Sequence, residues 1–229
     1  MKHQHHQDRC DHKGRFIVFE GGEGAGKSSL IKNLKKHFDA LSIPVCVTYE
    51  PGGTSLGKQI RQWLLEKHED DFSPQPLCQI LLLLAARTHH LNSVIIPALK
   101  ANKVVLCDRF YASTLAYQGA GHGVSTKLIE QLSAFILDQY RPDLTIFLNI
   151  DPAIGLKRIK DRPQNNDYDR LGLAFHQRIN KAFRQIAKDH YPQSDWFGQI
   201  VELDATNSQQ VLMTQAFKMI ESLNDKSIL

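Results

Sequence analysis

The chain has 229 residues, 42% of them apolar and 23% charged, and 28 Lys and Arg stand against 24 Asp and Glu for a net charge of +4. This is the composition of a folded domain long enough to bury a core without disulfide staples. The charge is too mild for the basic sheath of a nucleic-acid binder, but a small anionic substrate needs only a few well-placed Arg and Lys.

Residues 1–14 are polar and His-rich and read as a disordered tail outside the fold. The tail has no apolar stretch of the kind a secretory signal carries. A strand is expected at Arg15–Glu20 and a helix at Lys27–Ala40, where Leu30, Ile31, Leu34 and Phe38 recur at helical spacing. A β-branched second strand follows at 44–49, then a helix at 56–66 and a charged, Pro-containing loop at 67–76. Residues 77–100 read as a helix interrupted at Pro97, and 103–107 as the third strand. The longest apolar run, residues 80–86, has seven residues, well short of the roughly 18–20 of a spanning helix, so no membrane segment is expected.

A helix at 125–138 and a fourth strand at 144–150 come next. Asp151-Pro152 then has the N-cap and first-turn Pro of a helix start. A polar loop at 162–170, a helix at 173–190, a short strand at 200–203 and a helix at 207–223 complete the chain. Five strands alternating with helices specify an α/β fold of three layers, a five-stranded parallel sheet with helices on both faces, in one domain over 15–229. The four cysteines, at 10, 46, 78 and 107, form no Cys-x-x-Cys pair. They read as reduced thiols in a cytoplasmic protein.

The strongest motif is Gly21-Gly22-Glu23-Gly24-Ala25-Gly26-Lys27-Ser28, followed by Ser29. It fits G-x-x-x-x-G-K-[ST] between a strand and a helix. Glycines let the backbone curl its N–H groups inward around an anion, and the helix adds the positive end of its dipole. Lys27 then reaches the β- and γ-phosphates of ATP, and the Ser28 hydroxyl ligates Mg²⁺. A phosphate loop does not name a reaction. No Asn-Lys-x-Asp guanine reader is present, and the third strand leads into Asp108-Arg109 rather than Asp-Glu. A carboxylate there can hold Mg²⁺ while the arginine clamps a second phosphate, which suits a kinase with two phosphate-bearing substrates.

Further short runs follow in order: Glu50-Pro51-Gly52-Gly53-Thr54, Ala85-Ala86-Arg87, Asp108-Arg109-Phe110, Ser113 to Gly119, Arg141-Pro142-Asp143-Leu144, Asp169-Arg170 and Asp204-Ala205-Thr206. Together with the phosphate loop, this ordered set over roughly 15–223 resembles the bacterial thymidylate kinases. The resemblance implies transfer of the γ-phosphoryl of ATP to dTMP, with Mg²⁺, in a homodimer that binds neither nucleic acid nor membrane. It also implies an ATP site extended by Asp204 and Ala205. Arg109 matches the position that holds the dTMP phosphate, Arg87 the thymine, Glu23 the sugar 3′-hydroxyl, and Tyr117 the ring against C2′. Glu50, Pro51, Ser113, Thr114 and Gln118 complete the dTMP site by the same resemblance.

The variable positions of the phosphate loop hold no arginine. The resemblance therefore assigns the transferring phosphoryl to a lid at about 158–172, through Arg158, Arg162 and Arg170. Three departures stand out. The lid runs Leu171-Gly172-Leu173 and is about three residues short, Tyr49 stands where the family often has Arg, and Leu83 stands where an aromatic usually stacks on thymine. A kinase for another nucleoside monophosphate and a P-loop nucleotide sensor without kinase activity are the alternatives.

Overall fold

Three strand segments are buried at nearly every position, and they form the middle of the sheet. The computed structural model describes residues 14–65, 74–137, 140–160, 168, 171–188 and 194–223. Strands β1 (Arg15–Glu20), β2 (Val45–Tyr49), β3 (Val104–Asp108), β4 (Leu144–Asn149) and β5 (Gln199–Asp204) pair in the order β2-β3-β1-β4-β5. Every pairing is parallel, with Ile17 level with Leu106 on one side and with Leu144 on the other. The more polar β2 and β5 take the edges, where one flank meets water.

Alternation along the strands divides the core in two. Phe16, Val18, Val105, Cys107 and Phe147 face one layer, and Ile17, Phe19, Leu106, Ile146 and Leu148 face the other. The second layer is covered by α1 (Lys27–Ala40) and α9 (Gln209–Ser222), through Leu30, Leu34, Leu212 and Ala216. The first is covered by α3 (Pro76–His90), α6 (Thr126–Leu137) and α8 (Leu173–Ala187), through Ile80, Leu84, Ile129, Ile179 and Phe183. Helix α2 (Ser55–Leu65) packs on α3. The short α4 (Ile96–Lys100) and α5 (Tyr111–Thr114) flank β3, and α7 (Pro152–Ile159) follows β4.

The expected break at Pro97 takes a specific form. A π-helical turn at Leu91–Ile95 precedes α4, with Pro97 in the first turn of α4. The widened turn makes room for a ring that would otherwise press on the preceding carbonyls. The helix therefore runs without a gap over Pro76–Lys100, 25 residues that are long and apolar enough to span a membrane by length and composition alone. Counting only the unbroken apolar run missed this. Ile80, Leu84, Leu91, Ile95 and Leu99 bury one side of the helix in the core, and its Arg87 and His90 are fully hydrogen-bonded into the site described below, apart from one guanidinium nitrogen.

The Asp151 side chain accepts from the Ala153 N–H at the start of α7, as its sequence signature predicts. Of the expected lid, residues 161–167, 169 and 170 lie outside the described residues, as does the His-rich tail up to residue 13.

Candidate functional site

Parallel strands bring their C-terminal ends to one edge of the sheet, where an α/β fold places its ligands. Strand β1 ends there in the Gly-rich loop. The loop closes by resting on α7: a Cβ on Gly24, which has φ +71°, would lie 2.1 Å from the Gly155 carbonyl oxygen. A Cβ on Gly155 would in turn lie 2.2 Å from the Glu23 carbonyl. Two bare glycines thus set the height of the loop over the sheet. Gly26 caps α1 without a side-chain hydrogen bond, which leaves the N–H groups of the first helical turn to an incoming anion.

Lys27 folds back along this loop, its Nζ donating to the carbonyls of Gly21 at 3.0 Å and Gly22 at 3.1 Å. Burial and the neighbouring Arg109 charge lower its pKa, against the pull of Asp108, Glu23 and Glu20. Ser28 Oγ donates to Asp108 Oδ2 at 2.8 Å across the gap between α1 and β3. Gly24, Gly26, Lys27, Ser28, Ser29, Asp108 and Arg109 line one open cavity. Ala25 is fully buried beneath the loop. Asp204, at the exposed end of β5, accepts from the Thr206 hydroxyl and N–H.

A second cavity adjoins the first. All the residues assigned to dTMP by resemblance line it: Glu23, Glu50, Pro51, Leu83, Arg87, Arg109, Ser113, Thr114, Tyr117 and Gln118. Seven separate runs of chain supply them. Arg109 is the centre. Its backbone is left-handed, with φ 69°, a conformation uncommon for a residue with a side chain. Nη1 donates to the Gly21 carbonyl at 3.1 Å and to Ser113 Oγ at 3.2 Å, Nη2 donates to Glu23 Oε1 at 2.7 Å, and the guanidinium lies 5.0 Å from the Tyr117 ring centre.

The Tyr117 hydroxyl also donates to Glu23 Oε1, at 2.8 Å. Burial pushes the Glu23 carboxyl up, but the charges of Arg109 and Lys27 and the Tyr117 hydrogen bond overcome it and hold the pKa at about 2. Burial likewise raises the Tyr117 hydroxyl well above its ordinary range, so it remains a donor.

Arg87 lies at the far end of the second cavity, 2% exposed. Nε donates to Glu50 Oε2 at 2.8 Å, and Nη2 donates to the Phe110 carbonyl and Thr114 Oγ1, both at 3.0 Å. Nη1 is buried and has no partner among the described residues. An orphaned guanidinium donor in a cavity wall is a group that a ligand acceptor would satisfy. The other carboxylate oxygen of Glu50 meets His90 Nδ1 at 2.9 Å, and His90 Nε2 meets Thr48 Oγ1 at 2.6 Å. Gly53 makes this possible, since a Cβ there would stand 2.3 Å from His90 Nε2.

A π-helix at Leu115–Gly121 carries Tyr117 and Gln118 inward together. Gln118 Nε2 donates to Gln79 Oε1 and to the Tyr168 hydroxyl, and that hydroxyl also reaches Gln79. Leu83 is half-buried in the same cavity wall, between the partly buried Leu82 and the buried Leu84.

The lid arginines fare differently. Arg158 donates to the carbonyls of Gly24 at 3.4 Å and Ala205 at 3.0 Å, tying the phosphate loop to the end of β5, and lines neither cavity. Arg162 and Arg170 lie outside the described residues.

Several site residues escaped the sequence reading. Glu20 is buried, and its carboxylate accepts from the N–H groups of Phe110 and Ser113 and from the Ser113 hydroxyl, which fixes the turn after Arg109. Burial raises its pKa against those hydrogen bonds and the Arg109 charge. An acid closing an otherwise apolar strand run was the available signal. Arg61, Gln79, His90 and Tyr168 carried no motif.

Residues 19–215 match the family model described as thymidylate kinase. The thymidylate kinase of Protochlamydia amoebophila is 41% identical over 216 residues, 91% of this chain and 93% of that protein. That of Magnetococcus marinus is 40% identical over 91% of this chain and 96% of its own length. That of Latilactobacillus sakei is 37% identical over 92% and 96%.

Proposed function

The chain belongs to the thymidylate kinase family, and from that premise we infer how its two joined cavities divide the work. The reaction is ATP + dTMP → ADP + dTDP. The observation that carries the assignment of residues is the meeting of the phosphate-loop cavity with a second cavity at Glu23 and Arg109, which line both.

ATP phosphates lie against the loop, where Lys27 leaves the Gly21 and Gly22 carbonyls to follow the migrating charge. Phosphoryl transfer asks the protein for in-line positioning and charge compensation and for little covalent help. Arg109 supplies both on the acceptor side. It is held by Glu23, Ser113 and Gly21, so its fork is set before dTMP arrives. The free Arg87 Nη1 donates to a base carbonyl, and Glu50 and His90 keep that guanidinium in place. The Glu23 carboxylate accepts from the sugar 3′-hydroxyl, and the Tyr117 ring leaves no room for a hydroxyl on C2′. Ser28 and Asp108 form an oxygen-donor pair that suits Mg²⁺. Bound with ATP, the ion would be held by them directly or through water and would neutralise phosphate charge.

The exposed apolar side chains Leu77 and Leu81 of α3 and Leu128 and Phe135 of α6 support a homodimer. Phe135 is 81% exposed there, and the two helices touch. The free thiols of Cys46, Cys78 and Cys107 support a cytoplasmic location.

The test is ADP release with ATP against dTMP, dUMP, dCMP, dGMP and AMP. The highest kcat/KM is expected for dTMP, and a clear preference for another nucleotide would overturn the base assignment.

Leu83 gives a finer prediction. A base stacked on an aromatic gains roughly 1–3 kcal/mol, of which Leu recovers part through burial. Leu83→Phe is therefore expected to tighten dTMP binding about severalfold while ATP binding and melting temperature hold. Weaker or unchanged dTMP binding together with a lowered melting temperature would assign Leu83 to packing.

A further inference from the structure

The buried amide of Gln118 lines the second cavity, and its orientation is imposed from behind. Its Nε2 carries two hydrogens and both are spent, on Gln79 Oε1 at 3.1 Å and on the Tyr168 hydroxyl at 2.9 Å. Its Oε1 accepts no hydrogen bond among the described residues, so the carbonyl is the free end of an amide in the cavity wall. Gln79 stands behind it on α3, buried and outside the cavity lining. Gln79 Nε2 donates to the Pro74 carbonyl at 2.9 Å, and its Oε1 also accepts from the Tyr168 hydroxyl at 3.2 Å.

A carboxamide is nearly symmetric in shape and opposite in chemistry at its two ends. A tyrosine hydroxyl does not tell those ends apart, since it both donates and accepts, whereas a peptide carbonyl only accepts. The Pro74 carbonyl therefore takes the NH₂ end of Gln79, which turns Gln79 Oε1 toward Gln118. That oxygen takes the NH₂ end of Gln118 and leaves Gln118 Oε1 for the cavity. Reversing Gln118 alone would set two acceptors face to face in the interior, and reversing both would set Gln79 Oε1 against Pro74. One cavity thus holds a free acceptor at Gln118 and a free donor at Arg87 Nη1. Thymine offers the complement on one edge, the O4 acceptor and the N3–H donor. Cytosine offers the reverse, an N4 amino donor and a bare N3 acceptor.

We propose that Gln79 is a positioning residue for base choice: held by the Pro74 carbonyl, it keeps the Gln118 amide with its oxygen toward the base, and the site thereby rejects cytosine. The assignment rests on the dTMP reading above. Arg87 reads position 4 of the ring directly, and Gln118 reads position 3 only while its amide keeps one orientation. Gln79 touches no substrate and acts through Gln118. With the amide fixed, a cytosine meets acceptor against acceptor at position 3, which costs more than a missing bond and so discriminates by repulsion.

The experiment titrates dTMP, dCMP and ATP calorimetrically into the full-length wild type, Gln79→Met and Gln79→Glu, with a melting temperature for each. Methionine matches glutamine in length but donates to neither neighbour and offers Gln118 no oxygen, so the Gln118 amide is released to present either end. The preference for dTMP over dCMP should shrink about tenfold or more in Gln79→Met, while ATP binds as in the wild type. Glutamate keeps an oxygen toward Gln118 in either protonation state, so Gln79→Glu should retain the wild-type preference even if its melting temperature falls. A loss in Gln79→Met shared equally by dTMP and dCMP would overturn the proposal and leave Gln79 as a packing residue. So would a preference that survives in Gln79→Met, or one that shrinks as much in Gln79→Glu. The glutamate arm stands even if Gln79→Met fails to fold. A wild type that binds dCMP as tightly as dTMP would instead remove the base reading itself.

Discussion

Lys27→Ala is expected to reduce kcat by roughly 10³-fold or more, the scale on which enzymes lose a positioned donor to developing oxyanion charge. The fold should survive. The hydrogen bonds of Lys27 Nζ go to the loop carbonyls of Gly21 and Gly22, and the Gly21 carbonyl keeps Arg109 Nη1 as a donor in the variant. Losing those two bonds should cost roughly 1–3 kcal/mol, or several degrees of melting temperature at this chain length. Burial and Arg109 already press on the ammonium, and the energy that keeps it charged there is recovered only when phosphates arrive. Turnover and melting temperature measured on the same preparation decide the matter. A variant with near-normal turnover would refute the loop assignment, and one that fails to fold would show Lys27 to be structural.

Arg109→Met should be as damaging to kcat/KM for dTMP, again by roughly 10³-fold, and it carries a signature that a purely structural role lacks. Methionine occupies a left-handed position no better and no worse than arginine, so the backbone cost cancels. What changes is Glu23. In the wild type its pKa is held at about 2, below the ordinary 4.5. A depressed folded-state pKa contributes stability that is fully present above the unfolded value and is lost as pH falls toward the folded one. Without Arg109 the foremost of the charges that oppose burial is gone, the Glu23 pKa rises, and that contribution shrinks. The gap in melting temperature between wild type and variant should be widest above pH 4.5 and narrow as pH is lowered from there toward 2. A gap independent of pH would mean that Arg109 does not set the charge of Glu23.

The spread of the site over the chain explains which of its residues were readable. The phosphate loop is contiguous, and its chemistry follows from local rules: glycines for inward-turned amides, a lysine, a hydroxyl, a strand before and a helix after. Asp108 and Arg109 were legible because they close an apolar strand, and strand ends in a parallel sheet face the ligand edge. Arg87 and Leu83 lie one helical turn apart, so helical spacing already put them on one side of α3. The second cavity as a set was legible only through resemblance, because its residues lie at spacings that no local rule connects.

The sequence by itself determined the fold class, the strand segments and the phosphate loop, because these depend on hydrophobic period and turn chemistry within a few residues. Tertiary structure alone decided the partners. Glu20 closes an apolar run, yet only the packing of β1 against the turn after β3 makes it the anchor of Phe110 and Ser113. His90 has no motif and acquires its place from Thr48 and Glu50, some forty residues earlier in the chain. Arg158 sits in a basic run that suggested a catalytic lid, and the fold turns it onto the carbonyls of Gly24 and Ala205. Arg61 is an ordinary surface-helix arginine by pattern, and it comes to the junction of two cavities, with no ion-pair partner among the described residues, because α2 packs beside Pro51. The physical reason is common to all four. Periodicity is a property of one segment, whereas the charge and hydrogen-bond balance of a buried group belongs to every segment that packs around it.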